Sequence, residues 1–572
     1  MKKLIFVAIT MAMTGFIAIE PARSAPIDLP AERCPMSQII PSNWAGWNTP
    51  DWTASARVLP IPDFTAGGHK QFAMIVAGKL FVDESGPIQD LQSINWSDTS
   101  HGAYYSTQLH GLVGIGAVLR EPKGPLEPDV AQKVGEHIRD WARCSSLNRD
   151  INPRAWYEGT VIKRLSNLLR ALDYTRRFGP LGLLSEREIV YLIDLQVRYL
   201  LDTPDVYVGG NHGIRQDLLL AATAIHLPEH PRADYMIELA QKRLNQAARD
   251  LFSKEGIWTE HAPGYVNYAI GLIDEIGQLH QASEKFNPTL FLDRRKTSEM
   301  YLLQVLMPDG RIPYVGSSAA KEFSHPFSMQ LEPQNVQKVG LTSWPDYGQA
   351  VVRGDQRTNF YLLFLAGQNL PAGKRHADEL SFLLNRNGRS WITEGGHQSY
   401  ERSKMTNYLR SPLAHNTYVH DGKYLREQSR PDLDVRIVEA SERAGTIHLL
   451  GRSDRFLKQV SFERQIEITN FERLAVTDRL IGDGIWAGRL QLPGDLKVDI
   501  ANSTVIARAP DGRAMKIVFA SESSLRFSAC RGEQEPICGW GGPPGEFGPA
   551  TSLTWFVTGP AQVNFSIEWV EH

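Results

Sequence analysis

The feature that most constrains this chain is a change in its hydrophobic period. Between about residues 106 and 306 apolar residues return every three or four positions. Examples are Val161, Leu165, Leu168, Leu169 and Leu172, then Ile189, Leu192, Ile193 and Leu200. That spacing lines one stripe of a helix. Further helices are predicted over 128–144, 214–226, 233–252, 265–281 and 294–306, punctuated by Gly179-Pro180, Pro228, Pro231, Gly256 and Pro263. Short connections between successive helices suit a bundle, a solenoid or a toroid. Near Gln349 the period falls to two. Val460, Phe462, Ile466 and Ile468 alternate with polar neighbours, and similar short strands run on to Trp569. Strands at 350–353 and 360–365 flank a turn containing Gly354-Asp355. This half reads as an antiparallel β-sandwich of many strands. The break falls within 335–348, giving a helical domain over 26–340 and a β domain over 341–572.

The first 25 residues stand apart. Met1-Lys2-Lys3, an apolar run from Leu4 to Ile19 and small residues at Ser24-Ala25 read as a secretory signal peptide. A periplasmic or secreted protein is expected, with no membrane association once the signal is removed. A net charge of −3 removes any overall attraction to nucleic acid, so a grip on a polyanion must come from a local patch. Export permits disulfides. Cys530 and Cys538 bracket a loop that could close, Cys34 and Cys144 could also pair, and these spacings do not suit a metal–thiolate site.

Three clusters carry chemistry. Residues 374–422 gather His376, Asp378, Glu394, His397, Tyr400, Tyr408, Arg410 and His415. A strand at 380–384, an Asn387-Gly388 turn of the I′ kind and a returning strand at 390–393 would bring Glu394 back beside His376 and Asp378. Buried groups of this kind need partners; a polar sheet edge with incidental histidines is the plainer alternative. The second cluster is Gly209-Gly210-Asn211-His212-Gly213, ahead of the apolar run 218–222. Asn211 could simply cap that helix, but glycine on both sides also lets backbone approach a ligand closely, and a helix N-terminus favours an anion. The third runs from Glu255 to Tyr265, where Pro263 suits a helix start and Tyr265 falls on its first turn. Tyr268, one turn on, suits ordinary core.

With these clusters in place, the chain resembles the heparinase II/III-like polysaccharide lyases, a group that includes alginate and oligoalginate lyases. The likeness rests on Asn211-His212-Gly213, Glu260 with Pro263 and Tyr265, 307–313 (MPDGRIP), His376-Ala377-Asp378 with Ser381-Phe382, and Ala414-His415-Asn416-Thr417, in matching order over nearly the whole chain. It implies an N-terminal incomplete (α/α) toroid, a C-terminal antiparallel β-sandwich, and an active site between them. It also implies cleavage of an anionic, uronic-acid polysaccharide by β-elimination. The roles implied are sugar-carboxylate binding by Asn211 with help from His212, proton transfer by Tyr265 and His212, and a second tyrosine, Tyr400, from the sheet side. Arg375, Arg410 and Glu260 would bind substrate. His376, Glu394 and His415 would hold one structural zinc ion, with Asp378 orienting an imidazole; no organic cofactor is implied. Two positions depart from the pattern. Lys374 stands where many relatives have a further histidine, and Glu394 replaces an aspartate. Two other classes stay open. A helical-toroid glycoside hydrolase would need paired acids, nearest to hand Glu260 and Asp378, and a non-catalytic export factor would only bind the polymer.

Overall fold

The computed structural model describes residues 39–47, 59–63, 69–82, 86–120, 124–146, 150–318, 337–367, 374–399, 403–423, 434–454, 460–542 and 546–570. The signal peptide, Cys34 and Tyr400 lie outside the described residues. In chain order the helices of the first half are α1 (His69–Val76), α2 (Gly102–His110), α3 (Val113–Leu119), α4 (Pro128–Ser145), α5 (Glu158–Phe178), α6 (Glu186–Asp202), α7 (Gly210–His226), α8 (Ala233–Asp250), α9 (Pro263–Ala282), α10 (Thr289–Leu292) and α11 (Arg294–Val305). Successive long helices turn one apolar stripe to a common interior. Leu165, Leu168, Leu169 and Leu172 of α5 share it with Ile189 and Ile193 of α6, Leu218 and Leu219 of α7, and Val266 and Ile270 of α9. Ser185 caps α6 with a capping box closed by Glu188, a local signal that fixes where this helix starts. Among the described residues no helix is long and apolar enough to cross a membrane.

The first five strands of the second half form one antiparallel sheet in sequence order, Gly340–Trp344, Gln349–Arg353, Tyr361–Leu365, Phe382–Arg386 and Arg389–Ile392. Asn387 and Gly388 join the last two, with φ of 52° and 71°, the doubly left-handed turn predicted from the dipeptide. A larger antiparallel sheet of ten strands packs on its face and includes the two 20-residue strands Arg473–Leu492 and Thr551–Val570. Strand Ser461–Thr469 buries alternate residues, as its period of two requires.

The small sheet is buried on both sides. Ala350, Val352, Leu362, Phe364, Phe382 and Leu384 face the large sheet. Their neighbours Val351, Tyr361, Leu363, Leu365 and Leu383 belong to the core of the helical half. Successive side chains on a strand point to opposite faces, so continuous apolar runs serve two cores at once. Hydrogen bonds tie the seam: Tyr361 Oη donates to the Val305 carbonyl at 2.7 Å, Tyr301 Oη to Gln349 Oε1 at 2.6 Å, and an Arg353 guanidinium nitrogen to the Gln304 carbonyl at 2.9 Å. The order is therefore helices, small sheet, large sheet. Cys530 and Cys538 form the expected disulfide in the large sheet's edge region.

Candidate active site

The helical wall is set by α7 and α9. Gly209, not Asn211, occupies the cap of α7. Gly209 and Gly210 take φ of 66° and 57°, conformations that favour glycine, so the helix starts before Asn211 and carries Asn211 and His212 in its first turn. The helix-cap reading of Asn211 therefore falls. A Cβ on Gly213 would lie 2.9 Å from the Tyr207 ring, so a larger residue here would have to displace the end of that side chain. His212 is exposed, and its Nδ1 lies 3.3 Å from Glu158 Oε1 at the start of α5. Burial opposes the charged form of Glu158, but bonds from His212 and Tyr157 outweigh it and hold the carboxyl below its ordinary value. Donation from Nδ1 to that carboxylate leaves Nε2 of a neutral His212 as the acceptor. On α9, Pro263 takes the first helical position and Tyr265 follows on the first turn. Tyr265 meets Tyr268 edge-on at 6.1 Å. Tyr268 bonds Arg215, and burial pushes its phenol up to about 12.

The opposite wall begins at Lys374. Its backbone N–H donates to the Glu260 carbonyl at 2.9 Å, its own carbonyl accepts from Ser317 N at 2.7 Å, and its ammonium lies 5.4 Å from the centre of the Tyr265 ring. Burial raises the Glu260 carboxyl although Trp258, Lys374 and His212 act to lower it, which places Lys374 and His212 around this one acid. Burial, Arg410 and Lys374 together lower His397. A continuous cluster of titratable groups thus runs from Glu158 and His212 through Glu260 and Lys374 to His397 and Arg410, crossing from helices to sheet beside Tyr265.

Behind that cluster lie His376, Glu394 and His415, brought together as the sequence predicts. They meet as a hydrogen-bonded brace. Both Glu394 oxygens are committed: one accepts from Ser381 Oγ and Asn416 Nδ2, the other bonds His415 Nδ1. The His376 and His415 rings are 5.4 Å apart, and Ser317 Oγ lies 3.4 Å from His376 Nε2. Burial, His415, Arg410 and His397 hold His376 well below its ordinary value, so it is neutral. Burial also disfavours charge on His415, but the Glu394 carboxylate overcomes this and raises it. Among the described residues no group of three His, Cys, Asp or Glu side chains is placed to hold a metal ion. The donors as arranged do not fit the three-ligand zinc site, because the carboxylate that would complete it is spent orienting His415.

Two other expectations need correction. Arg375 is buried, with Nε bonded to Asp378 Oδ1 at 2.8 Å and a second nitrogen 3.7 Å from Glu379, so it cannot reach a polymer. Asp378 is correspondingly paired with Arg375 rather than placed to orient an imidazole, and it is too buried to face Glu260 across a cleft. The paired acids of a glycoside hydrolase are absent among the described residues at this position. Arg410 ends a short helix, α12 (Lys404–Arg410), facing His397. Sequence reasoning did not assign Glu158, Lys374 or His397. Lys374 carried a signal as a departure from the family pattern and His397 as a member of the 374–422 cluster, whereas Glu158 carried none.

Residues 337–569 match the family model described as Heparinase II/III-like, C-terminal. Among solved structures the chain is similar to a heparan sulfate lyase HepC mutant from Pedobacter heparinus, at 15% identity and a TM-score of 0.67, covering 92% of this chain and 86% of that one. It is similar to the heparinase III BT4657 gene product at 15% identity and 0.66, covering 90% and 86%. A chondroitinase AC lyase matches at 10% identity and 0.51, covering 88% and 80%. At these identities the likeness establishes the fold, helical toroid then β-sandwich. No curated protein matches in sequence.

Proposed function

We propose that this chain, a member of the heparinase II/III-like family by its residues 337–569, is a polysaccharide lyase that cleaves a uronic-acid polymer by β-elimination. The observation that supports the reading is that residues of two helices and the sheet junction meet here: the Lys374 ammonium lies 5.4 Å from the Tyr265 ring centre, and Lys374 and His212 both act on Glu260. In β-elimination the proton at C5 is removed, electrons form the C4–C5 double bond, and the C4–O4 bond breaks with the oxygen taking a proton. The C5 proton is weakly acidic while the adjacent carboxylate bears full charge, so the site must offset that charge as the enolate-like state develops. In this reading Asn211 donates to the sugar carboxylate, which its position in the first turn of α7, the positive end of that helix, supports. His212, oriented by Glu158, offers Nε2 as one proton carrier, and the Tyr265 phenol is the other. Arg410 offers a cation toward neighbouring acidic sugars, and the His397 beside it, held below its ordinary value, is a neutral hydrogen-bonding group.

The structural relatives are named for heparan sulfate and chondroitin, so these polymers head a panel that also contains alginate and hyaluronan. Each is incubated with purified protein, followed by ultraviolet absorbance and product mass. Unsaturated products from one or more polymers support the reading. Saturated products would establish hydrolysis, and binding without turnover on every polymer would establish a binding protein. We also propose export, supported by the Cys530–Cys538 disulfide. The N-terminal mass of the periplasmic protein tests removal of residues 1–25.

A further inference from the structure

Lys374 was not among the assigned site residues, yet its placement is specific. Its backbone is held on both sides, to the Glu260 carbonyl and to Ser317 N. The next residue, Ser318, accepts through Oγ from Gly264 N at 2.9 Å, in the first turn of the helix that carries Tyr265. The backbones of Lys374 and of the Tyr265 turn are therefore pinned to one framework, and the ammonium lies 5.4 Å from the ring centre. Other groups face the same position. Tyr268 lies on the same helix, with Arg215 behind it from α7. Glu260 comes from the preceding loop with His212 acting on it, and His397 and Arg410 come from the sheet side.

We propose that Lys374 is a positioning residue for Tyr265, a fixed cation that favours the phenolate and so equips this tyrosine to take the C5 proton. The proposal rests on the lyase reading above and names what makes a tyrosine usable as its base. A positive charge near a phenol stabilises the ionised form. With the ammonium 5.4 Å from the ring centre and an effective dielectric near 20, the attraction corresponds to a displacement of roughly two pH units, which solvent screening reduces. Glu260 opposes the effect when charged, although burial raises its carboxyl. Arg215 adds a second positive group behind Tyr268.

The test is a tyrosinate ultraviolet titration that needs no substrate. Subtracting the curve of Tyr265→Phe from that of the full-length wild-type protein isolates the ionisation of Tyr265. The same subtraction is made in Lys374→Met and Lys374→Gln backgrounds. The bonds that hold Lys374 in place are backbone bonds, so both variants keep them, and circular dichroism at each pH confirms the fold. The midpoint of Tyr265 should rise by about one pH unit or more in both variants and stay near wild type in Lys374→Arg. On a polymer that the wild type cleaves, the rising limb of kcat/KM against pH should move by the same amount. At a fixed pH below that limb, kcat should fall about tenfold per unit. An unmoved midpoint overturns the proposal. So does an unmoved pH limb with a higher KM, which would make Lys374 a sugar contact. If no polymer is cleaved, the lyase reading fails while the titration still decides the Lys374–Tyr265 coupling.

Discussion

Asn416 sits at the point where the functional stretch meets both sheets, and its replacement by alanine separates a structural role from a chemical one. It is fully buried. Its Nδ2 donates to the Phe382 carbonyl at 2.9 Å, the Thr393 carbonyl at 2.7 Å and Glu394 Oε1 at 3.0 Å, and its Oδ1 accepts from Gln491 N at 2.6 Å. Asn416→Ala leaves the Gln491 N–H without its acceptor and takes a donor from Glu394 in a dry interior. An unmade bond of this kind costs about 1–3 kcal/mol, more where a charged group is involved, so the sum should reach roughly 3–5 kcal/mol. The strand Arg473–Leu492 bears Gln491, so the loss should loosen the contact of the large sheet with the His415 segment, although the Arg464 bond to the residue 416 backbone carbonyl remains. Equilibrium urea unfolding and thermal melts measure the cost, and turnover below the melt measures chemistry in the remaining folded protein. A large loss of stability with turnover per folded molecule within about tenfold is the expected outcome. A variant within 1 kcal/mol of wild type but inactive would refute the reasoning and move Asn416 into the reaction.

Tyr265→Phe should lower kcat by about a hundredfold to ten-thousandfold, the usual worth of general acid–base help, with little change in melting temperature; near-normal turnover would move the role to His212. Asn211→Ala should reduce kcat more than it raises KM, since the carboxylate gains charge only on the way to the transition state, and because Gly209 holds the cap its melting temperature should barely move. The Glu394–His415 pair raises His415 in the folded state, so its stabilisation is fully present below the ordinary imidazole value of 6.5 and drains as pH rises through the higher folded value. Glu394→Gln should flatten that part of the stability–pH curve, and an unchanged curve would show that the pair is not coupled to folding. Elemental analysis of protein purified without added metal should find zinc well below one ion per chain. One ion per chain, lost on His415→Ala, would show that Glu394 releases His415 to complete a site.

What could be read from the sequence depended on whether a pattern was local. The helices from Glu186 to Ala282 and the Asn387-Gly388 hairpin follow from spacing, caps and turn chemistry that act over a few residues. The start of α7 was missed by four residues because two left-handed glycines, rather than a polar cap, set it. His376, Glu394 and His415 could be placed together because the hairpin fixes two of them. Their roles could not be, since the partners Ser381 and Asn416 are polar residues with no spacing signal. Arg375 looked like a polyanion contact beside Lys374. Which of two adjacent cations faces the cleft is decided by which one finds Asp378 in the core.

The small sheet with two buried faces has an evolutionary consequence. Every second residue of Gln349–Arg353 and Tyr361–Leu365 answers to the helices and the others to the large sheet. A substitution that reshapes the helical lining, as adaptation to a new polymer would require, reaches the small sheet directly through Val351, Leu363 and Leu383. Neither half can therefore be exchanged with a relative's as a cassette. A chimera joined between α11 and Gly340 should aggregate unless the small sheet's helix-facing residues come from the same parent as the helices.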